Sequence, residues 1–329
     1  MTSFLQLIRY KNLLFILGMQ AIMQQLIIAP VLQKYGFEYP FIDIHSLLLF
    51  VATICIAAAG YVINDYFDIK IDRINKPEKV LVSTVFSKRF AMLTHQILTV
   101  VGILCGLALA WMVKSFTLGF LFIAIPGLLW FYSASYKRQF LTGNIIVALL
   151  ASLSVLITGI TAVALLKATY SELVFETTIP REIYSWIGAF AVFAFLLTLI
   201  REIVKDMEDV EGDAEMECRT MPIVWGQKKS TYFVSALVVI TITVLLAGMW
   251  KLIPFEGNLT MKYILFTVII PLIVLLVQLF RAKNKAHLHT ISSLAKYIML
   301  AGVLYAFVFY FLLAKAWDLS FFNIFILKQ

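Results

Sequence analysis

Long apolar runs, each about the length of a membrane crossing, alternate along this chain with short polar connections. A helix needs about 20 such residues to cross the hydrocarbon of a bilayer. Nine stretches qualify, near residues 12–33, 44–63, 90–112, 116–132, 143–166, 183–204, 231–252, 261–281 and 293–316. The pattern predicts an all-α, polytopic membrane protein of about nine transmembrane helices. Pro126 falls inside the short fourth run and Pro30 near the end of the first, and a proline inside a helix bends it. No long polar segment separates the runs, so residues 1–329 are expected to form a single transmembrane domain.

Composition agrees: 62% of the 329 residues are hydrophobic and 14% charged, where a soluble domain carries about 25% charged residues. The net charge of +8 could suit nucleic acid, but the placement of the cations points elsewhere. Counted over alternate connections, 19 Lys and Arg fall on the side of the N-terminus and 8 on the other. Basic residues favour the cytoplasmic side of short loops. This predicts a multi-pass protein of the inner or plasma membrane, N-terminus inside and C-terminus outside, with no nucleic-acid partner. Residues 1–11 lack a short apolar core followed by a cleavage site and read as a cytoplasmic lead-in. Three scattered cysteines, Cys55, Cys105 and Cys218, offer neither a disulfide framework nor a zinc site.

The polar residues that remain are concentrated in two places. Asp65, Asp68 and Asp72 follow the second run at i, i+3 and i+7, and the spacing returns 141 positions later as Asp206, Asp209 and Asp213, after the sixth. The four-run offset suggests a four-helix internal repeat. On a continuous helix these positions fall within about 60° of one face, where three like charges repel. A hard divalent cation offsets that cost, and Mg²⁺ takes carboxylates together with substrate phosphates. Asn64 adds a neutral oxygen. Arg73, Lys76 and Lys79 follow the first cluster, Arg201, Lys205 and Arg219 surround the second, and Lys137 and Arg138 lie on the same side. Such donors suit phosphate oxygens, and Tyr132, Ser133 and Tyr136 can add neutral hydrogen bonds. One acidic cluster at the end of a span is most simply a solvated loop. Two at identical spacing on one side of the membrane favour function. Lys88, Arg89, Lys228, Lys229, Arg281, Lys283 and Lys285 need no more than the charge bias, and His287 and His289 are too few to hold a metal.

Asn64-Asp65-x-x-Asp68-x-x-x-Asp72 with Arg73-Ile74-Asn75-Lys76-Pro77 resembles the first signature of the UbiA superfamily of intramembrane prenyltransferases. Lys205-Asp206-x-x-Asp209-x-x-x-Asp213 with Arg219-Thr220-Met221-Pro222 and Gly226 resembles the second. Within the superfamily, the stretch from Arg201 to Asp213 is most similar to digeranylgeranylglyceryl phosphate synthases. The resemblance implies nine helices around a central cavity and Mg²⁺-dependent transfer of a prenyl group, geranylgeranyl in the first instance. The donor would be a polyprenyl diphosphate and the acceptor a lipid such as geranylgeranylglyceryl phosphate, with diphosphate released. An aromatic acceptor is the alternative. It implies metal ligation by Asn64, Asp65, Asp68, Asp206, Asp209 and Asp213, with Asp72 orienting a cation or the acceptor. All six aspartates count as catalytic, and Arg73, Lys76, Tyr132, Lys137, Arg201, Lys205 and Arg219 as substrate-binding. An ion-coupled transporter would also use intramembrane carboxylates and a repeat, but would place them at mid-membrane rather than at span ends.

Overall fold

The computed structural model describes residues 2–37, 43–75, 80–252, 257–321 and 325–326. It is helical almost throughout. Among the described residues nine helices are long and apolar enough to cross a membrane, at Tyr10–Lys34, Ile44–Phe67, Lys88–Met112, Phe116–Ala134, Thr142–Glu176, Ile179–Glu208, Met221–Lys251, Leu259–Arg281 and Lys285–Ala316. Each overlaps one of the nine apolar runs. The helices outlast the runs at several ends because apolarity marks only the hydrocarbon, whereas a helix continues wherever its backbone bonds can be kept. The last helix thus begins at Lys285, which places His287 and His289 in its opening turns rather than in a loop.

The elements in order are α1 (Thr2–Leu7), α2 (Tyr10–Ile22), α3 (Ala29–Lys34), α4 (Ile44–Phe67), α5 (Ile69–Asn75), α6 (Lys88–Met112), α7 (Phe116–Ala134), α8 (Thr142–Tyr170), α9 (Ile179–Glu208), α10 (Val210–Glu215), α11 (Met221–Leu252), α12 (Leu259–Ile264), α13 (Ile270–Arg281) and α14 (Lys285–Ala316). Two-residue strands, β1 (Ser320–Phe321) and β2 (Phe325–Ile326), pair antiparallel near the C-terminus. Pro126 is accommodated within an unbroken α7. At Pro30 the strain shows differently. A wider π turn, Met23–Ile28, precedes the proline, and Leu265–Ile269 does the same before Pro271. A proline removes one N–H and crowds the carbonyl four residues back, and a π turn is a way of absorbing that.

The chain groups into two compact units. The first comprises Met1–Gly18, Ile42–Ile146 and Asp209–Gly226. Its core packs α6 against α4 and α7. A side chain at Gly102 would lie 2.7 Å from Ile56 Cγ1, and one at Gly106 would lie 2.2 Å from the ring of Phe122. Small residues at these crossings let backbones approach where lipid supplies no hydrophobic drive. Where α4 meets α5, Leu7, Val62, Ile69, Val82 and Ala91 form a buried cluster, which ties the N-terminal turn to the first motif. The second unit comprises Met19–Phe41, Val147–Glu208 and Gln227–Gln329. It is built on α9 against α14, where Trp186 and Phe309 rings meet at 4.4 Å and the Gly302 backbone lies against Phe193. Lys34 bonds both Glu182 carboxylate oxygens, at 3.1 and 3.0 Å, and lies 4.7 Å from the ring centre of Trp317.

Candidate active site

The three aspartates of the first motif do not share one continuous helix. Asn64 and Asp65 occupy the last turn of α4, Asp68 is the residue at which that helix stops, and Asp72 lies on α5. Asp68 takes φ −88°, ψ 0°, the sparsely used bridge between helix and strand conformations. The amide ladder nonetheless carries across, with Asp68 N–H donating to Asn64 O at 3.0 Å and Asp72 N–H to Asp68 O at 2.8 Å. The expectation of a single helical face is corrected to a bend at its middle acid. The second motif does the same: α9 ends after Asp206, Asp209 sits at the break with φ −98°, ψ 13°, and Asp213 N–H on α10 donates to Asp209 O at 3.1 Å. The repeat in sequence is a repeat in local backbone.

In the first unit these acids come with cations. Lys137, in the 3₁₀ turn Tyr136–Arg138 after α7, reaches Asp68 Oδ1 at 2.5 Å and Asn64 Oδ1 at 3.3 Å. The Asn64 amide donates to Asp68 Oδ2 at 2.8 Å. The Lys137 and Asp68 side chains are only 11% and 13% exposed. Burial pulls the Lys137 amine below its usual range, against the pull of Asp68, which favours its charge. Gly143 makes this placement possible, since a Cβ there would stand 2.7 Å from Lys137 Cα and 3.1 Å from Tyr136 O. Arg9 bonds Asp65 Oδ1 at 2.7 Å while lying over the Tyr61 ring. Cys218 is buried, and its N–H donates to Asp213 O at 2.9 Å. Burial pushes the Cys218 thiol up, and the Asp213 carboxylate adds to the shift. Asp213, Asp68, Lys137 and Arg138 all lie within its electrostatic reach.

The other predicted residues divide between the units. Arg73 donates to Ser83 Oγ at 3.0 Å in the loop after α5. Tyr132 lies half-buried in the last turns of α7. Arg219 is exposed, and its N–H donates to Arg138 O at 2.8 Å. Lys76 lies outside the described residues, as does Lys79. In the second unit Asp206 sits on α9, where Arg201 pairs with Glu202 and Lys205 Nζ donates to Glu202 Oε2 at 2.8 Å. Lys296 of α14 is near the same group, and His289 contacts Glu208 at 3.1 Å.

Four residues escaped the sequence reading. Arg9 was counted as part of the charge bias, and nothing local marks its partner 56 residues on. Gly143 and Ser83 carry no signal in the sequence, and Cys218 stands there only as one of three scattered cysteines.

The donors suit a hard cation: carboxylate and amide oxygens on the bends, with a raised thiol nearby. Yet among the described residues no three acidic, histidine or cysteine side chains converge as a ready metal cage. The set fits ions that carry much of their coordination from water and phosphate, as Mg²⁺ does.

A helical membrane protein with acids at paired helix breaks, flanked by cations, defines a class of membrane-embedded proteins that handle an anionic head on a greasy substrate. Residues 31–294 match the UbiA prenyltransferase family, and the chain belongs to that family. It is therefore a prenyltransferase. Among its relatives, digeranylgeranylglyceryl phosphate synthase of Methanosphaera stadtmanae is 30% identical over 94% of this chain and 97% of its own length. That of Sulfurisphaera tokodaii is 30% identical over 79% of this chain and 81% of its own. A solved structure described as digeranylgeranylglyceryl phosphate synthase in membranes is 27% identical, covers 93% of this chain and 98% of that one, and superimposes with TM-score 0.65. A UbiA homolog from Archaeoglobus fulgidus, bound to GPP and Mg²⁺, shares the fold at 16% identity and TM-score 0.57, over 91% of this chain and 98% of that one.

Proposed function

We propose that the whole chain, residues 1–329, is one Mg²⁺-dependent prenyltransferase domain that moves a geranylgeranyl group from its diphosphate to geranylgeranylglyceryl phosphate or a close relative. The reading is supported by the names of the full-length relatives. The carrying observation is the bend at Asp68, where Lys137, Asn64 and two carboxylate oxygens meet in a half-buried setting. Asn64, Asp65, Asp68, Asp209 and Asp213 would hold Mg²⁺, joined on motif grounds by Asp206. Bound there, the metal supplies positive charge that steadies a leaving diphosphate.

The residues of the chain do the rest. Lys137 is a buried ammonium that can pass from Asp68 to a phosphate oxygen, and Arg9 can do the same from Asp65. Both are fixed before reaction, so charge developing on the leaving oxygen meets donors already in place. The C1–O bond of the donor breaks with its electron pair leaving on diphosphate. The acceptor hydroxyl oxygen bonds to C1 and gives up its proton to the released diphosphate as the ether forms. The apolar surroundings keep water from the allylic cation. The substrates reach the site as membrane lipids, and the site faces the cytoplasm, as the distribution of Lys and Arg supports.

The test is product formation by purified protein in lipid nanodiscs, with labelled geranylgeranyl diphosphate, geranylgeranylglyceryl phosphate and Mg²⁺. Diphosphate release with a diprenyl ether product is expected, abolished by chelation and by Asp68→Ala or Asp209→Ala. Release that persists in both variants, or a product formed only on aromatic acceptors, would sink the proposal.

A further inference from the structure

Beside the carboxylates, on the same unit, lies a second cluster that the handling of the donor diphosphate does not use. The turn Tyr136–Arg138 folds against the segment after the second motif, joined by the Arg219 N–H to Arg138 O bond. Next to that junction an open cavity of about 610 Å³ is lined by Gln139, Phe140, Thr142, Arg219 and Val224. The ring of Trp225 backs Phe140 at 4.9 Å. The lining thus pairs a cation and two hydrogen-bonding side chains with an apolar wall.

Two features next to the lining, at Arg138 and Thr220, favour an anion in this corner. Among the described residues, neither Arg138 nor Arg219 pairs with an acid, and the buried Arg138 Nε has no acceptor. The hydroxyl of Thr220, a residue only 3% exposed, likewise lacks a hydrogen-bond partner. Buried donors without acceptors are costly, and native proteins rarely keep them without a reason. The turn itself explains how two cations serve two places. In a 3₁₀ turn successive side chains diverge by roughly 120°. Lys137 therefore goes to Asp68 while Arg138 is directed elsewhere.

We propose that this cavity holds the phosphate headgroup of the acceptor lipid. Arg219 grips it with charge-assisted hydrogen bonds, Gln139 and Thr142 assist, and Phe140 and Val224 take the start of the apolar stem. The inference rests on the reading of the acceptor as a prenylglyceryl phosphate. It divides the phosphates: the donor's belongs with Asp68 and Lys137, the acceptor's with Arg219. The ligand chemistry is a phosphate monoester, which could also arrive as free phosphate.

The test compares wild type with Arg219→Gln and Arg219→Lys in nanodiscs. Geranylgeranylglyceryl phosphate and its dephosphorylated alcohol serve in turn as acceptor. In Arg219→Gln the acceptor KM should rise about tenfold or more, the loss of a charge-assisted contact, with donor KM changed less than twofold. The preference for the phosphorylated acceptor should collapse, and Arg219→Lys should recover part of it. Millimolar inorganic phosphate should compete weakly with the acceptor. Tighter binding of phosphate than of the lipid would assign the cavity to free phosphate and overturn the proposal. An equal rise in both KM values would place Arg219 at the donor diphosphate, and an unchanged acceptor KM would remove it from recognition; either overturns the proposal too. If wild type turns over neither lipid, the acceptor reading itself fails. Equilibrium binding of the two lipids without donor or Mg²⁺ then decides the subsite: no preference for the phosphorylated lipid in wild type, or one kept in Arg219→Gln, rejects it.

Discussion

At the scale of single residues, the site is organised by one lysine and one glycine. Lys137 is the ion-pair partner of Asp68 in a place where both side chains are largely buried. Removing one member of such a pair leaves the other charge uncompensated, which costs far more than the pair contributes. Lys137→Ala is therefore expected to lower kcat/KM for the diphosphate donor roughly 100-fold or more, read by diphosphate release. Lys137→Arg should retain part of the activity. Gly143→Ala acts on the same lysine from behind. Its Cβ would meet Lys137 Cα at 2.7 Å, and backbone cannot rotate away as a side chain can. A loss of about 1–3 kcal/mol in thermal unfolding is expected, with activity falling further than stability. The six aspartates and Lys137 stand out as candidates in the sequence because charge in an apolar chain is conspicuous. Gly143 does not, because a sequence does not say which backbone passes within 3 Å of which.

At the scale of elements, the two motifs share a break that periodicity could not announce. Spacing of i, i+3 and i+7 reads as one helical face, yet the middle acid in each case is where one helix stops and a short one starts. Hydrophobic pattern defines which residues are buried and says little about a single bridge-region φ/ψ. A comparable break lies in α11, where Gly226 takes φ 79°, ψ 162°. That conformation is essentially confined to glycine, so Gly226→Ala should cost about 1–3 kcal/mol in thermal unfolding.

The start of α4 supplies a pH prediction. Asp43 caps that helix through Ser46 N–H at 2.8 Å and bonds His45 at 2.7 Å. Burial alone would raise its pKa, but the Ser46 amide and His45 outweigh it and hold the carboxyl below its ordinary value of 3.8. A depressed folded pKa means that the contribution is complete above the unfolded value and is lost as pH falls through the folded one. The stability gap between wild type and Asp43→Ala, about 1 kcal/mol for a cap, should persist above about pH 5 and close below about pH 4.

At the scale of the molecule, the nine membrane-length helices among the described residues were readable from apolar runs alone, because a bilayer imposes length and composition together. The grouping into two units was not readable. The first unit takes its N-terminal turn from Met1–Gly18 and the later part of the second motif from Asp209–Gly226, far along the chain. Orientation makes its own prediction. In intact cells Lys114→Cys should label with a membrane-impermeant maleimide from outside, and Lys228→Cys only after permeabilisation. The reverse pattern would invert the topology drawn from the charge bias.

The pairing of Arg9 with Asp65 has a consequence for how the protein is born. The cation precedes its acid by 56 residues, so it has left the ribosome well before the second span is complete. When Asp65 arrives at the rim of the bilayer, its counter-charge is already waiting on the segment ahead of it. Lys137 comes later, after two further crossings, and settles Asp68. Insertion thus never needs to hold all the acids of the first motif unmatched at once, and the order of synthesis is itself part of how a greasy chain sets carboxylates at the rim of a membrane.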